Sequence, residues 1–520
     1  MKQVTHETPN RELAQISDLN QAGQGVGRLE QAGSHNGQAV FVDGALPGET
    51  VRLRQLTFGR SYATAQVANW LSLSPDRVQP ACPLFPRCGG CSLQHLAYAG
   101  QLEWKASQVR NALIHLGQQM PEVLDQLMLP ILPAQSPWHY RAKVQIPVQG
   151  RPGQLQLGFY ARDSHQVTDG SCCLIQHPVA DELRAALRAY FDLLKVPPYA
   201  EKSGQGLLRH LLIRHAEATG QVMLVPVVTD ARRWQQLVLT GQLVDLAQAA
   251  CARAGLTFSS YYVNENWQPG NRILGSAYTL LWGQAQITER INGLAYQISP
   301  AAFFQVNPRQ TERLYQTVLD FLRTAAAPTA AESGAAAESG AASIPAAAAE
   351  PGAVVASDTA AVAGTRPHCP PYRRIWDLYC GSGSISLALT AVASEVIGVE
   401  LVPAAIRDAR SNAKLNALSG QCRFFEGAAE VLAPELLAKG FPPDAVVVDP
   451  PRKGLDEKLT CLLRDLAVPV LIYVSCNPAT LARDIARLQP VYRLRAVRPV
   501  DMFPQTTHVE TVVLMSRVEK

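Results

Sequence analysis

The stretch Val468-Pro469-Val470-Leu471-Ile472-Tyr473-Val474-Ser475-Cys476-Asn477-Pro478 decides how this chain is read. Its apolar part, Val468 to Val474, is short, β-branched and uncharged, the pattern of a central strand buried on both faces. The Asn-Pro that follows ends such a strand abruptly, since proline cannot donate to a ladder. Cys476 is thereby left at the carboxyl end of a buried parallel strand, where open α/β sheets bind their ligands. A lone cysteine is ordinarily a small hydrophobe, so its meaning rests on the rest of the last third of the chain.

That region alternates strand and helix. Arg374 to Tyr379 reads as a strand, followed by Cys380-Gly381-Ser382-Gly383-Ser384 and an apolar helix. Glycines at this turn let the backbone approach a ligand closely while the helix amino terminus faces it. The next strand, Glu395 to Glu400, ends in an acid 17 positions beyond Gly383, suited to accept both hydroxyls of a ribose. The turn has no phosphate-loop lysine and no G-x-G-x-x-G, which favours adenosylmethionine over a nucleotide or dinucleotide. A further strand, Ala445 to Asp449, runs into Pro450-Pro451-Arg452-Lys453-Gly454. This Asp-Pro-Pro turn resembles the substrate loop of amino-methyltransferases, which carry an aromatic residue after the prolines. Arg452 in that place argues against methylation of an exocyclic amine and leaves a base whose own ring carbon must be activated.

The remainder of the chain sets the context. At 520 residues it is too long for one core, and two to four domains are expected. Hydrophobic residues at 47% and charged ones at 17% are ordinary for a soluble globular protein. The net charge of +4 identifies no partner, although the window Thr324 to Arg366 carries −3 and leaves +7 on the rest. The amino terminus, Met1 to Arg11, is polar, and no uncharged apolar run reaches the roughly 18 residues of a membrane span. A cytoplasmic protein without membrane contact is expected. Its eleven cysteines then read as ligands, nucleophiles or core residues, not disulfides.

Residues from about Ile16 to Trp70 alternate Gly-rich turns with short strands, and Arg52, Arg54, Arg60 and Tyr62 add basic and aromatic groups suited to RNA. This segment resembles the TRAM domain, an OB-like barrel appended to RNA-modifying enzymes. Cys82, Cys88 and Cys91 follow in a C-x5-C-x2-C array fixed by Pro and Gly, a spacing that asks for a metal and a fourth ligand. Cys172, Cys173 and Cys251 are the candidates in the amino-terminal half. Four thiolates suit zinc or an iron–sulfur cluster, and the latter is favoured. Gln94 to Leu116 has helical spacing and reads as a surface helix covering the cysteine loop. Strands are expected at Tyr140 to Ile146, Leu208 to Arg214, Gln221 to Val228 and Leu256 to Asn264. Arg141 and Lys143 alternate with apolar positions and are expected to face outward together, as a solvated face or toward phosphate. Thr324 to Pro367, almost without large apolar residues, reads as a flexible insertion.

Five ordered motifs identify a family resemblance. Phe303-Phe304-Gln305-Val306-Asn307, Asp377 to Gly383, Asp449-Pro450-Pro451-Arg452, Ser475-Cys476-Asn477-Pro478 and His508-Val509-Glu510-Thr511 resemble the successive motifs of the RNA uracil-5-methyltransferases. The cysteine array with the TRAM-like segment resembles the 23S ribosomal RNA branch. The resemblance covers nearly the whole chain outside the amino-terminal tail and the Ala-rich insertion. It implies a multidomain protein: a TRAM-like OB barrel over residues 12–70, a cysteine loop and central α+β RNA-binding domain over 71–296, and a Rossmann-like α/β methyltransferase domain over 297–520, interrupted at 324–367.

It also implies residue roles. Cys476 matches the nucleophile and Glu510 the base, while Gln305, Tyr379, Ser384, Glu400 and Asp449 match adenosylmethionine contacts. Cys82, Cys88, Cys91 and Cys173 match the ligands of a 4Fe-4S cluster, with Cys173 preferred to Cys172 because the family's proline five residues on is Pro178. Two positions depart from the family: Tyr379 replaces a common phenylalanine, and Gly427 replaces a polar side chain that meets the adenine. The chemistry asks for the same reacting groups. Carbon 5 of uracil is a poor nucleophile until a thiolate adds to carbon 6, and a base must then remove the carbon 5 proton. The expected partner is a looped or flipped-out uridine of 23S ribosomal RNA, with transfer RNA as the alternative, and the protein is expected to act as a monomer. A non-catalytic iron–sulfur RNA-binding protein is the reading from a different class.

Overall fold

The computed structural model describes residues 12–30, 35–170, 172–327 and 370–518. Five strands, β1 (Leu13–Leu19), β2 (Gly25–Glu30), β3 (Ala39–Asp43), β4 (Thr50–Phe58) and β5 (Tyr62–Ser72), close into a barrel. Alternation drives the closure: Val40, Val42, Val51, Leu53, Ala63 and Ala65 point inward and are buried, while Arg54, Arg60 and Tyr62 stay exposed. The barrel's last turn is anchored by Glu49, fully buried, which accepts from Trp70 Nε1 at 3.1 Å and forms an ion pair with Arg77. Burial alone would raise the Glu49 carboxyl, but its hydrogen bond from Arg77 holds it below the ordinary range.

Helices α1 (Tyr98–His115) and α2 (Pro121–Leu127) follow. The central unit is a seven-stranded sheet built from β6 (Lys143–Arg151), β7 (Gln154–Tyr160), β8 (Val167–Asp169), β9 (Leu208–His215), β10 (Gln221–Val228), β11 (Thr257–Glu265) and β12 (Ala277–Gly283). Helices α3 (Pro178–Leu193), α4 (Ala231–Leu237) and α5 (Thr240–Arg253) contribute to its core. A hairpin of β13 (Ile287–Ile291) and β14 (Leu294–Ile298) then leads to α6 (Pro308–Ala326).

The last sheet comprises β15 (Tyr372–Leu378), β16 (Ala393–Glu400), β17 (Cys422–Glu426), β18 (Ala445–Val448), β19 (Val470–Ser475), β20 (Tyr492–Val500) and β21 (Glu510–Arg517). Its order is β17-β16-β15-β18-β19-β21-β20, with β21 antiparallel to both neighbours and the first five strands parallel. Helices α7 (Ser384–Leu389), α8 (Pro403–Leu415), α9 (Ala429–Ala438), α10 (Glu457–Leu466) and α11 (Pro478–Leu488) connect the strands. Every residue of β18 and β19 is buried, as the run around Val468 to Val474 requires. Asn477 caps α11 by accepting from Ala479 N at 3.1 Å, and Pro478 starts the helix, so the strand must stop at Cys476.

Several expectations need correction. Helix α1 does not simply cover the cysteine loop: Val109 and Leu113 share a core with Trp376, Leu481, Ile485 and Tyr492, so the helix is built into the catalytic half. The expected boundary at 296/297 falls inside β14, whose backbone binds Asn412 of α8 and Asn416 just past its end at 2.9 and 2.8 Å. The barrel's last strand runs two residues past position 70, to Ser72. Arg141 and Lys143 are half-buried, and burial pushes the Lys143 ammonium down to about 7, helped by Arg214 and Arg141. Helix α6 continues to Ala326, three residues into the expected insertion. The rest of that segment, 328–369, lies outside the described residues. Among the described residues no helix is long and apolar enough to cross a membrane.

Candidate active site

The carboxyl ends of β15, β16, β18 and β19 and the amino end of β21 share one edge of the last sheet, which brings Tyr379, Glu400, Asp449, Cys476 and Glu510 to that edge. At the turn after β15, Tyr379, Gly381 and Gly383 adopt φ of 70, 55 and 79°. A Cβ at Gly383 would lie 3.0 Å from that of Ala409, whereas one at Gly381 meets nothing within 4 Å, so the turn opens on one side. Glu400 stands opposite. Its two oxygens accept from Gly381 N at 3.2 Å and Val402 N at 2.8 Å, leaving lone pairs free for two hydroxyls. Ser384 Oγ accepts from Tyr315 Oη at 2.6 Å, and Tyr296 Oη donates to the Ser384 carbonyl at 3.2 Å. Gln305 is half-buried on the segment before α6, which is held to β6 by Ala142 N donating to Val306 O at 2.7 Å.

Two carboxylates lie beneath this turn. Asp377 is fully buried; one oxygen accepts from Ser386 Oγ and the other has no partner. Burial pushes its pKa up to about 7, with the negative charges of Asp449 and Glu400 adding to the shift. Desolvation likewise raises Asp449 to about 7. An orphaned buried oxygen and clustered carboxylates are the complement of a cationic ligand with hydrogen-bond donors, and adenosylmethionine, a sulfonium with an ammonium group, fits that donor set. Gly427 completes the comparison with the sequence reading. A Cβ there would meet Leu432 Cδ1 at 2.8 Å, so leucine closes the place where the family's polar group stands.

The two residues expected to act as nucleophile and base come near each other through strand register. β19 and β21 pair from Val470 with Ser516 to Ser475 with Thr511, and the next step places Cys476 opposite Glu510. Glu510 is 5% exposed, and burial lifts its carboxyl to about 8, with the Asp449 charge in the same sense and Arg452 opposing. The Cys476 thiol is pushed to about 11 by burial, then by Glu510 and Asp449, again against Arg452. Arg452 is fixed over this pair: its carbonyl accepts from Asn477 Nδ2 at 3.1 Å and Thr480 Oγ1 at 3.2 Å, and its Nη2 lies 3.3 Å from His508 Nε2. Desolvation on the side facing the protein, with Arg452 contributing, lowers His508 to about 4 although the residue is exposed, and a neutral imidazole can accept from the guanidinium. Arg452, His508, Asp377 and Tyr315 were given no site role in the sequence reading. For Asp377 the signal was an acid inside an otherwise apolar strand.

The cysteine array lies elsewhere on the chain. Cys82 N donates to Gln94 Oε1 at 3.1 Å, Gly90 N approaches Cys88 Sγ at 3.5 Å, and Cys173 N donates to Asp181 Oδ2 at 2.9 Å. Burial, with smaller contributions from Cys173, Cys88 and Cys82 and against a hydrogen bond with Gln94, pushes the Cys91 thiol up to about 12. Cys172 is exposed. Among the described residues no group of three or more His, Cys, Asp or Glu side chains is drawn together closely enough to hold a single metal ion.

Comparison with known proteins bears on the fold and the family. Residues 372–518 match the family described as tRNA (Uracil-5-)-methyltransferase, and residues 11–67 match the TRAM domain. The chain is 37% identical over 501 residues to a protein of Listeria monocytogenes named as an uncharacterized RNA methyltransferase, with 96% of each chain covered. A similarly named protein of Clostridium tetani is 35% identical, covering 96% of this chain and 95% of its own. The fold matches the crystal structure of Pyrococcus abyssi tRNA (uracil-54, C5)-methyltransferase in complex with S-adenosyl-L-homocysteine, with a TM-score of 0.67 at 23% identity over 96% of this chain and 99% of that one. With its barrel, its methyltransferase sheet and relatives of this closeness, the chain belongs to the adenosylmethionine-dependent RNA (uracil-5-)-methyltransferases that carry an amino-terminal TRAM domain.

Proposed function

We propose that this enzyme methylates carbon 5 of a uridine in 23S ribosomal RNA through a covalent adduct with Cys476. The observation that carries the reading is the register that sets Cys476 against Glu510 at the ligand edge of the sheet. The Cys476 thiolate adds to carbon 6 of the uracil, forming a sulfur–carbon bond and moving electron density to carbon 5. Adenosylmethionine supplies the methyl group that carbon 5 then takes. Glu510 accepts the proton from carbon 5, the sulfur–carbon bond breaks, and 5-methyluridine leaves. Gln305, Tyr379, Ser384, Glu400 and Asp449 hold adenosylmethionine in this scheme, with Glu400 on the ribose. A protein that only bound RNA would have no use for a thiol and a carboxyl on facing strands beside carboxylates suited to a sulfonium.

The ribosomal target rests on the resemblance of the cysteine array, together with the TRAM domain, to the 23S ribosomal RNA branch of the family. Transfer RNA is the second reading, favoured by the description of the matching family and by the substrate of the Pyrococcus abyssi enzyme. Protein-free 23S RNA and unmodified transfer RNA, offered in parallel at one salt concentration with labelled adenosylmethionine, decide between them, because phosphate contacts make affinity salt-dependent. Label is expected as 5-methyluridine in 23S RNA; label only in transfer RNA overturns the ribosomal target and leaves the chemistry standing.

We further propose that Cys82, Cys88, Cys91 and Cys173 hold a 4Fe-4S cluster. The reading rests on the C-x5-C-x2-C spacing of the first three cysteines and on Cys173, which is half-buried where Cys172 is exposed. Held there, the cluster would clamp the loop over Cys82 to Cys91 against the segment around Cys173.

The catalytic pair should fail differently on mutation. Cys476→Ala is expected to form no covalent complex with RNA, whereas Glu510→Gln is expected to transfer one methyl group and stall as a gel-stable adduct. An adduct with the alanine variant would remove Cys476 from the mechanism.

Protein prepared without oxygen should be brown, with iron and sulfide each at about four per chain. Cys173→Ser should lower both more than Cys172→Ser, and stoichiometric zinc without iron contradicts the cluster.

Asp377 and Asp449, raised to about 7, are protonated at pH 6 and charged at pH 8. Adenosylmethionine should therefore bind about tenfold more tightly at pH 8 than at pH 6 by calorimetry, since binding a cation favours the ionised carboxylates. S-adenosylhomocysteine, whose sulfur is neutral, should change less. Equal pH dependence for both ligands would mean that these carboxylates do not face the sulfonium.

A further inference from the structure

The loop from Asp501 to Val509 joins β20 to β21 and delivers His508 and Glu510 to the active site. Its principal side-chain clamps come from segments distant in the chain. Lys105 and Asp501 form an ion pair at 2.6 Å in which both side chains are 0% exposed, and the same ammonium donates to Phe503 O at 3.0 Å. Tyr98 Oη donates to the second Asp501 oxygen at 2.8 Å. Gln101 and Gln505 bind reciprocally: Gln505 N donates to Gln101 Oε1 and Gln101 Nε2 to Gln505 Oε1, both at 3.0 Å. Gln505 has a φ of 67°, a left-handed conformation that a non-glycine residue keeps only where surrounding contacts hold it. Its carbonyl accepts from Ser92 N at 2.9 Å and Leu93 N at 3.0 Å, immediately after Cys91.

Desolvating an ion pair this completely contributes little net stability, and an apolar pair of similar size serves a core as well or better. What the pair does supply is a fixed position, with Lys105 bonded to two points of the loop and Gln101 to a third. We infer that Lys105, Asp501 and Gln101 are positioning residues for the proton-removal step, holding the 501–509 loop so that Glu510 stays opposite Cys476. The inference rests on the proposed roles of that pair. Its chemical logic is that a base misplaced by about 1 Å can cost a hundredfold in rate, while thiol addition depends on Cys476, which lies on a different strand.

Single-turnover experiments with the full chain, RNA and adenosylmethionine separate adduct formation from adduct release. Lys105→Met is expected to form the adduct within about threefold of the wild-type rate, to release it at least about tenfold more slowly, and to bind adenosylmethionine unchanged. That variant leaves Asp501 buried without a partner and can lose stability, so Lys105→Met/Asp501→Leu, apolar on both sides, is measured beside it and should also stall. Slowing of formation and release by the same factor in both variants, or release at the wild-type rate from the double variant, would overturn the positioning role. Absence of any adduct with the wild-type protein would instead overturn the covalent mechanism itself, so the two failures are distinguishable.

Discussion

The antiparallel pairing of β19 with β21 is the constraint on which the rest depends. Every other strand neighbouring β18 and β19 is parallel, and parallel strands present their carboxyl ends together. An antiparallel neighbour instead brings its amino end to that edge, which is how the first residue of β21 reaches the residue just past the end of β19. A shift of one residue in this register would turn Glu510 to the other face of the sheet. The buried side chains of both strands, including Ile472, Val474, Val512 and Leu514 on one face, and Tyr473, Val513 and Met515 on the other, make such a slip costly.

Electrostatics then divides the labour along this edge. Asp377, Asp449 and Glu510 are carboxyl groups whose burial favours their neutral forms, and they raise one another where they interact. A cation entering among them reverses that preference. Arg452 is the positive charge that opposes the upward shift at both Cys476 and Glu510, and the Pro450-Pro451 turn and Asn477 keep it in place. The same arginine that distinguishes this turn from those of amino-methyltransferases thus has a physical task here, which is to moderate the cost of a thiolate beside a carboxylate.

The catalytic sheet was legible in the sequence because its strands are short apolar runs ended by chemistry-bearing residues. Val470 to Ser475, Ala445 to Val448 and Ala393 to Glu400 emerge within a residue or two of their expected bounds. Long-range placement was not legible. Lys105 and Asp501 are 396 positions apart, and nothing local to either says that they meet. Helix α1 has apolar residues at helical spacing whichever surface it covers, so its union with α11 and β20 had to come from the fold. The hairpin of β13 and β14 looks like a continuation of the preceding β-rich unit, but Asn412 and Asn416 fasten it to the methyltransferase side. Lys143 alternates like a surface lysine, and only the fold shows Arg141 and Arg214 crowding it.

The central claim is that Cys476 bonds to carbon 6 of the target uracil. Substituting 5-fluorouridine at that position places on carbon 5 a fluorine that a base cannot remove as a proton, so the cycle must stop with the sulfur–carbon bond intact. Digestion of the trapped complex and mass spectrometry of the products is the direct measurement. The account predicts one modified peptide, with a methylated 5-fluorouridine carried on Cys476. The same adduct found on another cysteine, or free methylated RNA with no adduct, would contradict it.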